Sequence, residues 1–336
     1  MSKLIVSPIT NHANRIYSHR TGWARMWQKC LPSTQLAHNC DWSSAEVVYF
    51  EHGMEFNENS KGVNAFLKDP KSWDNLARKA RMIQGFEGKI VSLDIDCPDY
   101  GMRLRSRVKP HSTDAYKNLD FQLISERCKN ATTMRQSDRD CDTLVLGDSH
   151  ALAAWREDAF LCRNDGQTLN GAINRGFAFW IDRFAANGLS GLRTYFGNID
   201  IRHHICRLET SETAHEHLVM SLVQQYVAEL VSCRDKYELD EVEVVAVLPI
   251  ENESRKLPKT GWYKGKPFWG SWAERTRVAQ VFNEELRRLS AQNNFTVIEW
   301  PACFKNIDDE LDFGMMERPR SVHISPEHYL WRVTDG

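Results

Sequence analysis

Residues 142–155 read DTLVLGDSHALAAW, and the other motifs of the chain take their meaning from this stretch. Thr143, Leu144, Val145 and Leu146 form a short apolar run suited to a buried strand. Gly147 breaks the run, and residues 151–155 hold strong helix formers. The pattern predicts strand, tight turn, helix. Such a turn sets Ser149 at the carboxyl end of a strand and beside a helix amino terminus, where unpaired N–H groups favour developing negative charge. A serine so placed is a nucleophile when a base stands next to it. Asp148 and Ser149 equally suit the simpler role of helix caps.

The chain has 336 residues, enough for a substantial core and more naturally two domains than one. Its formal net charge of -2 supplies no global basic field for nucleic acid, although net charge says nothing of local distribution. The nine cysteines are scattered and form no C-x-x-C pair, which argues against a zinc ribbon or a redox motif and fits free thiols in a reducing compartment. The amino-terminal apolar stretch is too short for a signal peptide, and no run approaches the ~20 apolar residues that span a bilayer. These features predict a cytoplasmic protein with no membrane partner. Neither a P-loop nor G-x-G-x-x-G occurs, so no nucleotide cofactor is expected. The eleven tryptophans fit core packing first, and stacking against sugars or bases second.

Taken in order, residues 3–9 predict a first strand, 21–31 a helix with Trp23, Met26 and Trp27 on one face, and 46–50 a second strand ending in Glu51-His52-Gly53. Residues 72–84 read as a helix and 89–96 as a third strand ending in Asp94 and Asp96. This alternation predicts an α/β layer. Asp94 and Asp96 could bind a divalent metal through oxygen, but solvated carboxylates are the simpler reading, and no metal is expected. Arg103, Arg105, Arg107 and Lys109 alternate as in an edge strand, and the polar stretch 134–140 marks a domain boundary, with domains at 1–135 and 141–336.

Beyond the central motif, residues 168–176 read as a glycine-containing turn and 192–196 as a strand. Residues 212–233 form the clearest amphipathic helix and 242–248 a continuous apolar strand, suited to the centre of a parallel sheet. Residues 251–271 form a long loop rich in Gly, Lys and aromatics, including Trp262, Tyr263, Phe268 and Trp269, and loops of this length are usually functional. A helix at 272–289, a strand at 296–300 and the motif RPRSVHISPEHYLW at 318–331 complete the chain.

With Gly147-Asp148-Ser149-His150 after a strand and His323-Ile324-Ser325 near the carboxyl terminus, residues 141–336 resemble the SGNH (GDSL-like) hydrolase family. The resemblance implies a three-layer α/β/α doubly wound parallel sheet, here preceded by a smaller α/β domain of unknown role. It makes Ser149 the nucleophile and His323 its base. Gly171 and Asn198, in the motifs LNGAI and GNID, would supply oxyanion donors, with Asp148 and His150 flanking the serine. Two departures stand out. The family usually carries an aspartate three residues before the histidine, where this chain has Arg320, and a cation cannot orient an imidazole as an acid does. Either His323 uses a backbone carbonyl or another acid, for which Asp200 and Glu317 are candidates, or the reaction is not classical hydrolysis. The third motif is also out of register, and its continuation places Asp200, Arg202 and His204 in alternation, so an extended backbone would point them into one cleft.

The first functional reading is a serine esterase or acyltransferase acting on a polar, carbohydrate-type conjugate. The second is group transfer on a phosphorylated or nucleotide-like substrate, with Arg202, Arg320 and the basic loop gripping phosphate. The third is a catalytically inactive binding module.

Overall fold

A computed structural model of the chain describes residues 2–6, 22–31, 33–37, 45–51, 83–94, 120, 122–123, 126–127, 130–164, 166–208, 211–256, 265 and 268–330. The chain divides into two compact units, Met1–Arg139 and Asp140–Gly336. Expectations for His52, Asp96, the 72–82 part of the helix, the 103–109 basic alternation, Trp262 and Tyr263 lie outside the described residues.

The first unit is a parallel sheet of β1 (Ser2–Val6), β2 (Thr34–Ala37), β3 (Ala45–Glu51), β4 (Lys89–Asp94) and β5 (Thr132–Arg135), in the order β2-β1-β3-β4-β5. Helix α1 (Gly22–Cys30) joins β1 to β2 and buries Met26 and Trp27, while Leu4, Ile5, Val48 and Leu93 fill the core from the strands. Strands β2 and β5 escape a sequence reading because TQLA and TTMR are short and half polar. Strand β5 takes up part of the stretch read as a linker: Met134 and Arg135 pair with Leu93 and Asp94, making this an edge strand.

The second unit holds β6 (Thr143–Gly147), β7 (Ala159–Arg163), β8 (Gly191–Tyr195), β9 (Glu241–Val245) and β10 (Thr296–Ile298), all parallel, in the order β10-β9-β8-β6-β7. Every residue of β6 and β7 is buried, which fits the apolar runs at 144–146 and 159–162. Burying Leu144, Val145 and Leu146 stabilises the sheet by roughly 1.5–3 kcal/mol each. The order in which strands are added reverses at β6: β7 lies on one side and β8, β9 and β10 on the other. The result is a doubly wound α/β sheet whose ligand crevice falls at the carboxyl ends of β6 and β8. Right-handed crossovers put α2 (Leu169–Arg175), α3 (Glu212–Tyr237) and α4 (Trp272–Gln292) on one face. The β6-to-β7 connection crosses the other. Ser211 caps α3, and Ser271 with Glu274 forms a capping box on α4.

Three local expectations are corrected. Residues 151–154 make a single 3-10 turn, because Trp155 is already extended and its indole donates to the Ala159 carbonyl at 2.8 Å as the chain enters β7. The 168–176 segment is the helix α2: the Thr168 hydroxyl accepts the Gly171 N–H and Gly176, at φ 79°, ends it. Residues 198–205 are also helical, with a π turn at Ile201–Ile205, so Asp200, Arg202 and His204 do not share one face of an extended segment.

Candidate active site

Gly147 is fixed by space. A Cβ there would lie 2.3 Å from the Tyr195 carbonyl oxygen, the acceptor for the Asp148 N–H at 3.1 Å. The Gly147 carbonyl accepts from the Asn164 N–H at 2.8 Å, so the end of β6 is held between both neighbouring strands. The chain then turns sharply. Asp148, fully buried, accepts the His150 N–H on Oδ1 at 2.8 Å, and the 3-10 turn follows. Ser149 alone of this turn is partly open to solvent.

The base reaches it from the far end of the sequence. Met316 and Ile324 form an antiparallel bridge, the Glu317 N–H donates to the His323 carbonyl at 2.8 Å, and the intervening loop turns through Arg320 at φ 62°. His323 Nε2 lies 3.3 Å from Ser149 Oγ, a slightly long contact of the kind that tightens when substrate binds. Behind it, the buried Glu317 carboxylate stands 3.9 Å from His323 Nδ1. That separation gives a charge interaction rather than a direct hydrogen bond. Glu317 Oε1 also accepts from Ser321 Oγ at 3.2 Å and from Arg318 at 2.7 Å, and Ser321 Oγ accepts the His323 N–H at 3.3 Å. The carboxylate nearest the imidazole therefore comes from the opposite strand of the hairpin. Arg320, three residues before the histidine, is exposed, and its carbonyl accepts from the Lys256 N–H.

Asp200 does not serve His323. Both of its oxygens are used at the amino terminus of α2, accepting from Leu169 N–H at 2.6 Å and Asn170 N–H at 3.2 Å. Burial pushes its carboxyl up to about 7, against the pull of those two donors and with a further push from Asp148. The Gly171 N–H is likewise engaged by the Thr168 hydroxyl at 3.0 Å, so as an oxyanion donor it would have to leave its cap. Asn198 follows Gly197, whose φ of 111° favours glycine. Its side chain is fully buried and Oδ1 accepts the Leu248 N–H at 3.2 Å, while Nδ2 has no acceptor among the described residues.

Arg202 is a structural cation. Its guanidinium donates through Nε and Nη2 to the buried carboxylate of Glu251, which also accepts from Arg255 at 2.9 Å. Arg275 donates to the Glu251 carbonyl at 2.8 Å and lies 3.7 Å from the Phe268 ring. Burial works to raise the Glu251 carboxyl, but Arg202 and Arg255 hold it below its ordinary value. His203 is pushed down to about 2 by burial and by the same arginines, so it is neutral. His204 points to the surface side of this segment, where its Nδ1 lies 3.2 Å from Arg207 Nη2. The expected Arg202 grip on phosphate is thus replaced by a closed ion pair. Glu251, just after Pro249-Ile250, carries no sequence signal beyond its place near the end of β9.

Among the described residues, no group of three or more His, Cys, Asp or Glu is placed to hold a metal ion, and no helix is long and apolar enough to cross a membrane.

Among solved structures, the chain is similar to a GDSL-like lipase from Bacteroides thetaiotaomicron, at 11% identity over 57% of this chain and 83% of that one, with a TM-score of 0.40. It is also similar to a catalytic mutant of an acetylxylan esterase from Geobacillus stearothermophilus, at 14% identity over 57% and 91% of the two chains and a TM-score of 0.36. A third likeness is to an extracellular lipase from Streptomyces rimosus, at 13% identity over 58% and 99% and a TM-score of 0.34. No family model and no curated protein matches the sequence. With TM-scores of this size, the chemistry rests on the geometry of the site itself.

Proposed function

We propose that this protein is a serine esterase or acyltransferase of SGNH type, with Ser149 as nucleophile and His323 as base. The observation that carries the reading is the 3.3 Å approach of His323 Nε2 to Ser149 Oγ at the carboxyl end of β6, across 174 residues of sequence. His323 accepts the hydroxyl proton as Ser149 Oγ attacks an acyl carbon, then returns it to the leaving oxygen. The nearby Glu317 carboxylate stabilises the imidazolium that forms between those steps. The Ser149 N–H, with no hydrogen-bond acceptor among the described residues, is the donor we assign to the tetrahedral oxyanion.

The substrate class we propose is a polar, carbohydrate-type acyl conjugate. The loop that carries His323 presents Arg318, Arg320 and Ser321. The large exposed hydrophobic residues among those described, Phe179, Leu208 and Ile307, lie on neither the serine turn nor this loop. The test is labelling of purified protein with a fluorophosphonate probe. Labelling that disappears in Ser149→Ala and His323→Ala, followed by turnover of acetylated sugars over long-chain esters, is the expected result. Folded wild-type protein that takes no label would rule the reading out.

A further inference from the structure

His150 is buried, and every polar atom of its ring is in use. Nε2 lies 2.8 Å from the Val322 carbonyl oxygen, and Nδ1 lies 3.0 Å from Asp148 Oδ1. The ring stacks on His323 with centroids 5.4 Å apart and planes 24° from parallel, and it meets the Tyr195 ring at 5.8 Å and 65°. Those neighbours come from each surrounding element: Asp148 from its own turn, Tyr195 from β8, and Val322 and His323 from the carboxyl-terminal loop, with Glu317 beyond His323.

A carbonyl oxygen can only accept a hydrogen bond, so Nε2 carries a hydrogen. Nδ1 faces an oxygen that already accepts the His150 N–H at 2.8 Å. Asp148 Oδ1 thus holds the turn backbone and the Nδ1 side of the ring together, while Nε2–H faces the Val322 carbonyl.

On these contacts, and resting on the function proposed above, we infer that His150 is a positioning residue whose ring Asp148 orients so that Nε2–H meets the Val322 carbonyl. It clamps the Val322–His323 peptide to the serine turn and so sets the distance between His323 and Ser149. The residue next to the nucleophile thereby locates the base, although His150 and Val322 stand 172 positions apart in the chain.

Two measurements test this. Nitrogen-15 spectra of the wild-type imidazoles, assigned by comparison with His150→Gln, should show hydrogen on His150 Nε2 at neutral pH. A ring with Nε2 bare would overturn the clamp, whatever the activity. The rate of fluorophosphonate labelling should fall ~10- to 100-fold in His150→Gln and in Asp148→Asn, as expected when a reacting pair is misplaced by about 1 Å. Labelling of both folded variants at the wild-type rate would also overturn it. Absence of label on the wild type would remove the function proposed above, and the ring spectra would still decide the protonation of His150.

Discussion

Two segments leave the carboxyl ends of adjacent parallel strands in the second unit, residues 147–150 after β6 and residues 197–205 after β8. Both carry polar side chains at the switch point of a doubly wound sheet, where ligands usually bind. The first leaves Ser149 partly exposed and within reach of a base. The second turns inward, so that Asp200 holds the start of α2 and Arg202 closes on Glu251. Position at a strand end thus brings polar residues near a crevice, but their chemistry depends on which atoms remain uncommitted. A charged residue whose every strong contact is internal has a structural task, however suggestive its place in the sequence.

The contrast is open to direct attack. Ser149→Ala should abolish fluorophosphonate labelling with the fold intact, read by labelling alongside circular dichroism; residual labelling at wild-type stoichiometry would move the nucleophile elsewhere. In the second segment the expected loss is of stability. Glu251→Ala leaves Arg202 buried without the carboxylate it donates to, and should lower the unfolding free energy by ~3–5 kcal/mol in urea titration. The fraction that stays folded should label at the wild-type rate. Glu317→Gln sharpens the assignment of the acid: labelling should slow ~100-fold or more, whereas Asp200→Asn should leave it within a few-fold.

Asp200 has its own signature in pH. Its folded-state value of about 7 lies above the ordinary 3.8, so the folded chain binds this proton more tightly than the unfolded one. The resulting stability is fully present below about pH 4 and is lost as pH rises through about 7. Urea midpoints measured from pH 4 to 8 should show that decline in the wild type and a flatter curve in Asp200→Asn. The smallest effect is expected at Arg320. Replacing it with Gly relieves a left-handed backbone by up to about 1 kcal/mol and should leave the labelling rate unchanged. A large loss of rate there would return Arg320 to the active site.

Much of the architecture is legible in the residues. Strands β1, β3, β4, β6, β8, β9 and β10 can be read from short runs rich in apolar and β-branched residues, the clearest being β6, where every residue is buried. Helices α3 and α4 can be read because they carry amphipathic stripes and serine caps. Strands β2 and β5 and helix α2 cannot, since four residues of mixed polarity, or a seven-residue helix containing Gly171, carry too little periodic signal. Ser149 and His323 could be found from short motifs. The pairing of Glu317 with His323 could not be settled from spacing, because the two face each other across a hairpin that turns at Arg320.

The sequence by itself determined the α/β alternation and the strand-to-turn geometry at Gly147, because each is a local matter of burial, period and backbone freedom, and short motifs made Ser149 and His323 candidates. Only the tertiary structure decided which polar groups are available for chemistry. Hydrogen bonds and ion pairs such as Arg202 with Glu251, Asp200 with the start of α2, and His150 with Val322 form between residues up to 172 positions apart. Their partners are chosen by how the elements pack, and no local pattern encodes that choice.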